Sequence, residues 1–305
     1  MFSNGAEGAN VEALLNICVS KFKLLRVLDL SESTCKTLPR SIGKLKHLRY
    51  FSIDNNRNIK RLPNSICKLQ NLQLLSVEGC KELEALPKGL RKLICLRHLE
   101  ITTKQPVLPY SEITNLISYL FIKSCHNMES IFGGVKFPAL KTLFVWDCDS
   151  LKSMPLDVTN FPELQTLIVR RCANLDLDLW KDHHEEQNPK LKLKFVTFWG
   201  LPQMVALPQW LQETANSLQT LFITECDNLE MLPEWLSTLT NLKVLLISDC
   251  PKLISLPDNI HRLTALEGLD IRGCPELCKK CQPHVGEFWS KISHIKRVYI
   301  EEQED

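Results

Sequence analysis

Glycine is scarce in this 305-residue chain, at 11 residues, which leaves little material for a loop that cradles phosphate. Neither G-x-x-x-x-G-K-S/T nor G-x-G-x-x-G occurs, and H-E-x-x-H is missing as well. No side chain sits in a local motif that would activate it as a nucleophile. No apolar run approaches the roughly 20 residues that span a bilayer. Met1–Asn10 lacks the basic-then-apolar order of an export signal. A large excess of one charge is absent too, since 37 Lys+Arg face 35 Asp+Glu and the net charge is +2. These absences exclude nucleotide hydrolysis, dinucleotide binding and zinc proteolysis of the common kinds, and a membrane span. The expectation is a non-enzyme with no cofactor and no metal in this chain.

What is present is a repeat. The unit L-x-x-L-x-L-x-x-(C/N)-x-x-L-x-x-L-P recurs about a dozen times from Leu25 onward. Three copies nearly superimpose: Leu72, Leu75, Val77, Cys80, Leu83, Leu86 and Pro87; Leu218 to Pro233; and Leu242 to Pro257. Most steps are 21 to 25 residues, and the steps into Leu193 and Ile295 are 29. Self-similarity at that period is the signature of a leucine-rich-repeat solenoid, in which each coil buries its face only against its neighbours. The expected fold class is therefore an α/β solenoid shaped as a horseshoe. Each L-x-L segment should be a short strand of one parallel β-sheet on the concave face. Pro-led stretches such as Asn64–Leu72 and Lys88–Leu96 should form short helical, 3-10 or irregular segments on the convex face.

The chain divides accordingly. Residues 1–24 read as a partial cap, with Val11–Phe22 amphipathic, or as a linker from an upstream domain. Residues 25–300 hold the repeats, with a charged insertion at 176–192, and 301–305 are an acidic tail. The coil Leu96–Pro109 lacks the usual Cys or Asn. Of 13 cysteines, seven (Cys80, Cys125, Cys148, Cys172, Cys226, Cys250 and Cys274) share one repeat position, as Asn56 does in its own coil. A small inward side chain there serves the turn, and stacked free thiols imply a reducing, cytoplasmic setting.

Two clusters could be taken for metal sites. Cys274, Cys278, Cys281 and His284 have zinc-ligand chemistry, but Cys274 already points into the solenoid. His183-His184-Glu185-Glu186 lies in the insertion, where a solvated loop is the simpler reading.

The residues facing outward from the strands carry whatever specificity the chain has. The first four coils offer an acidic stripe, Asp29, Asp54, Glu78 and Glu100, with Arg26, Arg49 and Arg97 placed to neutralise it in part. The middle coils offer Phe121, Phe144, Trp146, Trp199 and Phe222, with Arg170 and Arg171 among them. Aromatics and Arg dominate interface hot spots, so this patch is expected to bind a protein and the stripe to form a second contact region. The first 152 residues hold 22 Lys+Arg against 13 Asp+Glu, and the rest 15 against 22. That polarity suits oriented docking to another domain and not nucleic-acid binding.

The wording of the repeats adds a resemblance. Leu25-Leu-Arg-Val-Leu-Asp-Leu-Ser31, the stretch Leu38–Tyr50 (L-P-R-S-I-G-K-L-K-H-L-R-Y) and Leu62–Leu75 resemble the repeats of plant disease-resistance receptors of the coiled-coil, nucleotide-binding, leucine-rich-repeat type. Gly273-Cys-Pro-Glu-Leu277 and the stretch Phe288–Ile300 are similar to that family's C-terminus, and the G-x-I-P turn of secreted plant repeat proteins is missing. The resemblance implies the recognition and autoinhibitory domain of an intracellular immune receptor. Early coils would pack on the receptor's own nucleotide-binding domain, and later coils would sense a pathogen effector or a guarded host protein. ATP or ADP would sit only on that nucleotide-binding domain, which this chain lacks, and the isolated repeat domain would be monomeric. The alternative is a self-standing intracellular repeat scaffold or decoy.

Overall fold

The L-x-L segments are strands because alternation puts Leu, Ile or Val on one face and leaves the intervening residue on the other. The computed structural model describes residues 8–108, 117–131, 136–154, 156, 160–178 and 191–301. The chain divides into two compact units, residues 1–151 with 159–161, and residues 152–158 with 162–305. In the first, β1 (Val27–Asp29), β2 (Tyr50–Ser52), β3 (Leu74–Val77), β4 (His98–Ile101), β5 (Tyr119–Lys123) and β6 (Thr142–Trp146) pair in chain order, all parallel. In the second, β7 (Thr166–Arg170), β8 (Phe195–Trp199), β9 (Thr220–Thr224), β10 (Val244–Ser248), β11 (Gly268–Arg272) and β12 (Arg297–Glu301) do the same.

Register aligns the repeats residue for residue. Leu28, Phe51, Leu75, Leu99, Leu120 and Leu143 form one inward row of the first unit, all buried. Each such side chain stabilises the coil by about 1.5–3 kcal/mol relative to exposure. Behind the sheet, 3-10 turns such as Arg40–Lys44, Asn64–Lys68, Gln209–Thr214 and Glu234–Thr238 follow directly on Pro39, Pro63, Pro208 and Pro233. Each proline has no N–H to lose, and its carbonyl accepts the first bond of the turn, as in Ile66 N–H to Pro63 O at 3.0 Å. The expected leucine-rich-repeat solenoid, parallel strands against short 3-10 segments, is the architecture of each unit.

A left-handed residue closes nearly every strand. Glu32, Asn55, Gly79, Ser124, Asp147, Arg171, Gly200, Glu225, Asp249 and Gly273 all have positive φ at the equivalent position. Their N–H groups extend the ladder past the strand end, for example Asn55 N–H to Glu78 O at 2.7 Å and Arg171 N–H to Trp199 O at 2.7 Å. Those bonds offset the roughly 1–2 kcal/mol that a side chain costs in this conformation. Thr103 stands in the one such position that is not left-handed among these coils, in the coil whose sequence breaks the pattern.

The cysteine position behaves as the repeat implies. All seven thiols are buried and free, and most donate to the carbonyl two residues back, as Cys250 Sγ does to Ser248 O at 3.3 Å. Asn56 does more: its Oδ1 accepts the N–H of Asn58 and Ile59, and its Nδ2 donates to Ser33 O and Oγ.

At the ends, helix α1 (Gly8–Lys21) buries Leu15 and Val19, and Asn16 Oδ1 accepts from Ser41 Oγ at 2.9 Å. The last coil carries a helix absent from the sequence reading, α2 (Pro275–Cys281), then α3 (Trp289–Ile292) before β12. Phe288, Ile292 and Ile295 are buried, and Val298 and Ile300 on edge strand β12 are only partly covered. Most of the charged insertion, with His183–Glu186, and the tail beyond Glu301 lie outside the described residues, as do Met1–Glu7.

Candidate protein-interaction surface

Opposite the leucine ladder, the first unit presents a second aligned row, Asp29, Ser52, Ser76, Glu100, Phe121 and Phe144. The outward residue two positions on belongs to the same face and includes Asp54, Glu78, Thr102, Lys123 and Trp146. Phe121 and Phe144 meet edge to face with centroids 4.7 Å apart, and Trp146 lies 6.1 Å from Phe144 and 6.4 Å from Phe121. This packing buries Phe121, so of the three only Phe144 and Trp146 present substantial surface. Lys123 is the residue that sequence reasoning passed over. Its Nζ sits 4.4 Å above the Trp146 ring and 2.5 Å from Glu78 Oε1. Stripe and patch, expected as separate surfaces, are thus joined in this unit. Lys123 reaches two strands across because Thr102, between them, is small and buried.

The acidic stripe is a bonded network. Ser76, only 1% exposed, places its Oγ 2.5 Å from Asp54 Oδ1 and 2.8 Å from Glu100 Oε2. Asp54 Oδ1 also accepts the Glu78 N–H at 2.9 Å. Ser31 Oγ donates to Asp29 Oδ1 and contacts Ser52 Oγ at 2.7 Å. Burial pushes the Asp54 and Glu100 carboxyls above their ordinary values, and the Glu78 charge adds to the rise on both. Arg97 does not play the neutralising part expected of it. Arg97 turns its guanidinium to the main-chain oxygens of Ile94 and Leu96, and no arginine is among the charges acting on Asp54 or Glu100.

The second unit carries its own cluster. The Arg170 guanidinium stacks 3.5 Å from the Trp199 ring centroid, and Phe195 meets Phe222 edge to face at 5.3 Å. The Trp199 indole N–H is covered and has no hydrogen-bond acceptor among the described residues. Arg171 lies on the left-handed turn at the strand end, not on the strand face, and pairs with Glu225 at 3.4 Å. It passes over Gly200, where an added Cβ would meet Arg171 Cγ at 3.1 Å. Arg272, with both forks on Asp270, lies 4.6 Å from the Tyr299 ring centroid and forms a further cluster that sequence reasoning did not group.

Among the described residues, only His126, Asp147 and Asp149 bring three ligand atoms within 4.8 Å of one another. Nδ1 of His126 faces Asp149 at 3.2 Å while Nε2 faces Asp147 at 3.9 Å. Opposite edges of one ring cannot aim at one ion, so the arrangement is a bracketed histidine. Cys274, Cys278, Cys281 and His284 form no such group. Cys278 Sγ donates to Glu301 O at 3.3 Å, and the His284 ring lies 5.5 Å from that of Trp289. Burial pushes the Cys80 and Cys281 thiols up to about 12, which keeps them protonated and poor as nucleophiles or ligands. No helix among the described residues is long and apolar enough to cross a membrane.

The chain is similar to solved structures of repeat proteins. It shares 21% identity with a leucine-rich-repeat protein of Leptospira interrogans, at a TM-score of 0.42 over 82% of this chain and 78% of that one. With the leucine-rich repeat domain of the type III effector XopL it shares 19% identity, at 0.43 over 85% and 72%. With the functional domain of InlJ from Listeria monocytogenes, which includes a cysteine ladder, it also shares 19%, at 0.47 over 85% and 56%. No curated protein matches the sequence. The family profile described as "Leucine-rich repeat region" matches residues 8–217. With that match spanning more than half of its length, the chain belongs to the leucine-rich-repeat family.

Proposed function

We propose that this chain is the recognition and autoinhibitory repeat domain of a plant intracellular disease-resistance receptor, acting in the cytoplasm in defence. The observation that carries the reading is the cluster Phe144, Trp146, Lys123 and Glu78, an aromatic patch wired to an acidic stripe on the face the repeats leave open. Aromatic and cationic side chains held rigid in this way are the usual anchors of protein interfaces, and repeat solenoids bind along this face. Phe144 and Trp146, and in the later coils Arg170, Trp199 and Phe222, are the anchors for a pathogen effector or a guarded host protein. Asp29, Asp54, Glu78 and Glu100 dock on the receptor's own nucleotide-binding domain, which carries the ATP or ADP. The buried free thiols accord with a reducing compartment.

Ile17, Phe22, Leu24 and Val27 support docking at the same end, since all four are exposed, Leu24 by 74%. Apolar surface of this kind marks an interaction site. A self-standing scaffold or decoy would need α1 to seal the first coil, and α1 leaves these residues open.

The test is a receptor rebuilt with its coiled-coil and nucleotide-binding domains. Asp29→Lys, Asp54→Lys and Glu78→Lys together should trigger cell death without an effector. Phe144→Ala with Trp146→Ala should leave it quiet and abolish the effector response. A charge-reversed receptor that accumulates normally and stays silent refutes the autoinhibitory role.

A further inference from the structure

Ser76 offers a single hydroxyl proton to two carboxyl oxygens, Asp54 Oδ1 at 2.5 Å and Glu100 Oε2 at 2.8 Å. A hydroxyl donates once and accepts otherwise. If it donates to Asp54, then Glu100 contacts only its lone pairs, and two bare oxygens at that distance repel. The contact becomes a hydrogen bond when Glu100 carries the proton and donates to Ser76. The mirror arrangement, Asp54 protonated and Ser76 donating to Glu100, satisfies the same geometry. Either way the three groups need one proton beyond the hydroxyl's own.

We propose that Asp54 and Glu100 share one proton through the Ser76 hydroxyl, forming a pH-sensitive switch that sets the charge of the acidic stripe. With the proton the pair carries one negative charge. Without it the pair carries two, and the Ser76 bridge must break on one side.

The surroundings favour the protonated form. Ser76 is buried, and β2 and β3 contribute no cation to the pair: β2 brings Tyr50, and Glu78 follows directly on β3. From β1, Asp29 adds negative charge near Tyr50. On β4, His98 lies close enough to Glu100 to favour its ionised form. From β5, Tyr119 faces Glu100 and Glu78, and the Lys123 ammonium is already engaged by Glu78. Burial raises both carboxyls and each is raised further by acidic neighbours. Two interacting carboxyls then lose their protons in separate macroscopic steps.

The experiment follows the side-chain carboxyl carbons of Asp54 and Glu100 by carbon-13 NMR in the full chain, between pH 3 and pH 9. The expected result is two separate transitions, the upper one raised above the ordinary carboxylate range, each seen at both residues. Glu100→Gln should abolish the upper step and move the Asp54 transition downward. Ser76→Ala should leave two transitions that no longer appear at each other's carbon. The proposal is overturned if both wild-type carboxyls ionise in one ordinary step, or if the Asp54 transition is unmoved by Glu100→Gln. The wild-type titration decides the matter even if Ser76→Ala does not fold.

Discussion

Asn56 and the cysteines occupy one repeat position, and replacing each by alanine separates two kinds of stabilisation. Asn56 is fully buried and makes four hydrogen bonds to main chain and hydroxyl groups, with Nδ2 to Ser33 O at 2.8 Å and Ile59 N–H to Oδ1 at 3.1 Å. In Asn56→Ala, the N–H of buried Ile59 and the carbonyl of partly buried Ser33 lose their partners, while Asn58 is exposed and water can replace its bond. Each buried group left unmet costs about 1–3 kcal/mol, so the two together should cost about 2–6 kcal/mol. Cys226 is equally buried, but its thiol makes long contacts, at 3.4 Å to Thr224 O and 4.0 Å to Phe198 O, and adjoins the Cys250 thiol. Cys226→Ala removes a small apolar atom and a weak donor, for a loss of about 1 kcal/mol. Urea unfolding followed by circular dichroism, with hydrogen exchange at Ile59 and Leu229, measures both. Equal losses in the two variants, or a loss below about 1 kcal/mol for Asn56→Ala, would refute the view that asparagine acts here through hydrogen bonds and cysteine through burial.

Three further outcomes follow from named contacts. Gly43→Ala should destabilise the first coils by about 1–3 kcal/mol in the same urea assay, because the new Cβ would lie 2.5 Å from the Ser65 main-chain oxygen of the adjoining turn. Gly200→Ala strains a residue at φ 62° and pushes on Arg171 Cγ, so it should lower the unfolding midpoint and remove the Arg171–Glu225 pairing. Retention of that pairing in the variant's crystal structure would contradict the role given to Gly200. Stability should also depend on pH with a definite sign. The Asp54 and Glu100 carboxyls are raised above ordinary values of 3.8 and 4.5, so between those values and the folded ones the native state binds more protons than the unfolded chain. Their stabilising contribution is complete below the ordinary values and lost as pH climbs through the raised ones, and Glu100→Gln should flatten that decline.

The repeat made the strands and their faces legible before any coordinates, because Leu, Ile and Val at fixed spacing leave one parallel register that buries them all. The outward rows could therefore be written down residue by residue, and Asp29, Ser52, Ser76, Glu100, Phe121 and Phe144 do align. Three things escaped. Phe121 is covered by its own neighbours, which depends on ring orientation and not on spacing. Arg171 falls on a left-handed turn, a conformation that arginine does not announce. Helix α2 arises after Cys274, with Pro275 at its first position, where the repeat unit carries no helix signal.

Parallel strands bring equivalent residues of neighbouring coils to about 4.8 Å, so two long side chains on adjacent coils compete for the same space. Rings and the cations stacked on them meet on adjacent coils, whereas three polar couplings run between next-nearest coils, across a small residue in the coil between. Ser76 stands between Asp54 and Glu100, Thr102 between Glu78 and Lys123, and Gly200 between Arg171 and Glu225. In each case the middle residue forms a floor, and the long side chains meet above it. It follows that the pairings on this face are chosen by where small residues fall, as much as by which charges or rings are present. A substitution that enlarges one floor residue alters two coils at once while touching no contact residue. A repeat surface built in this way can change what it recognises without disturbing the leucine ladder beneath.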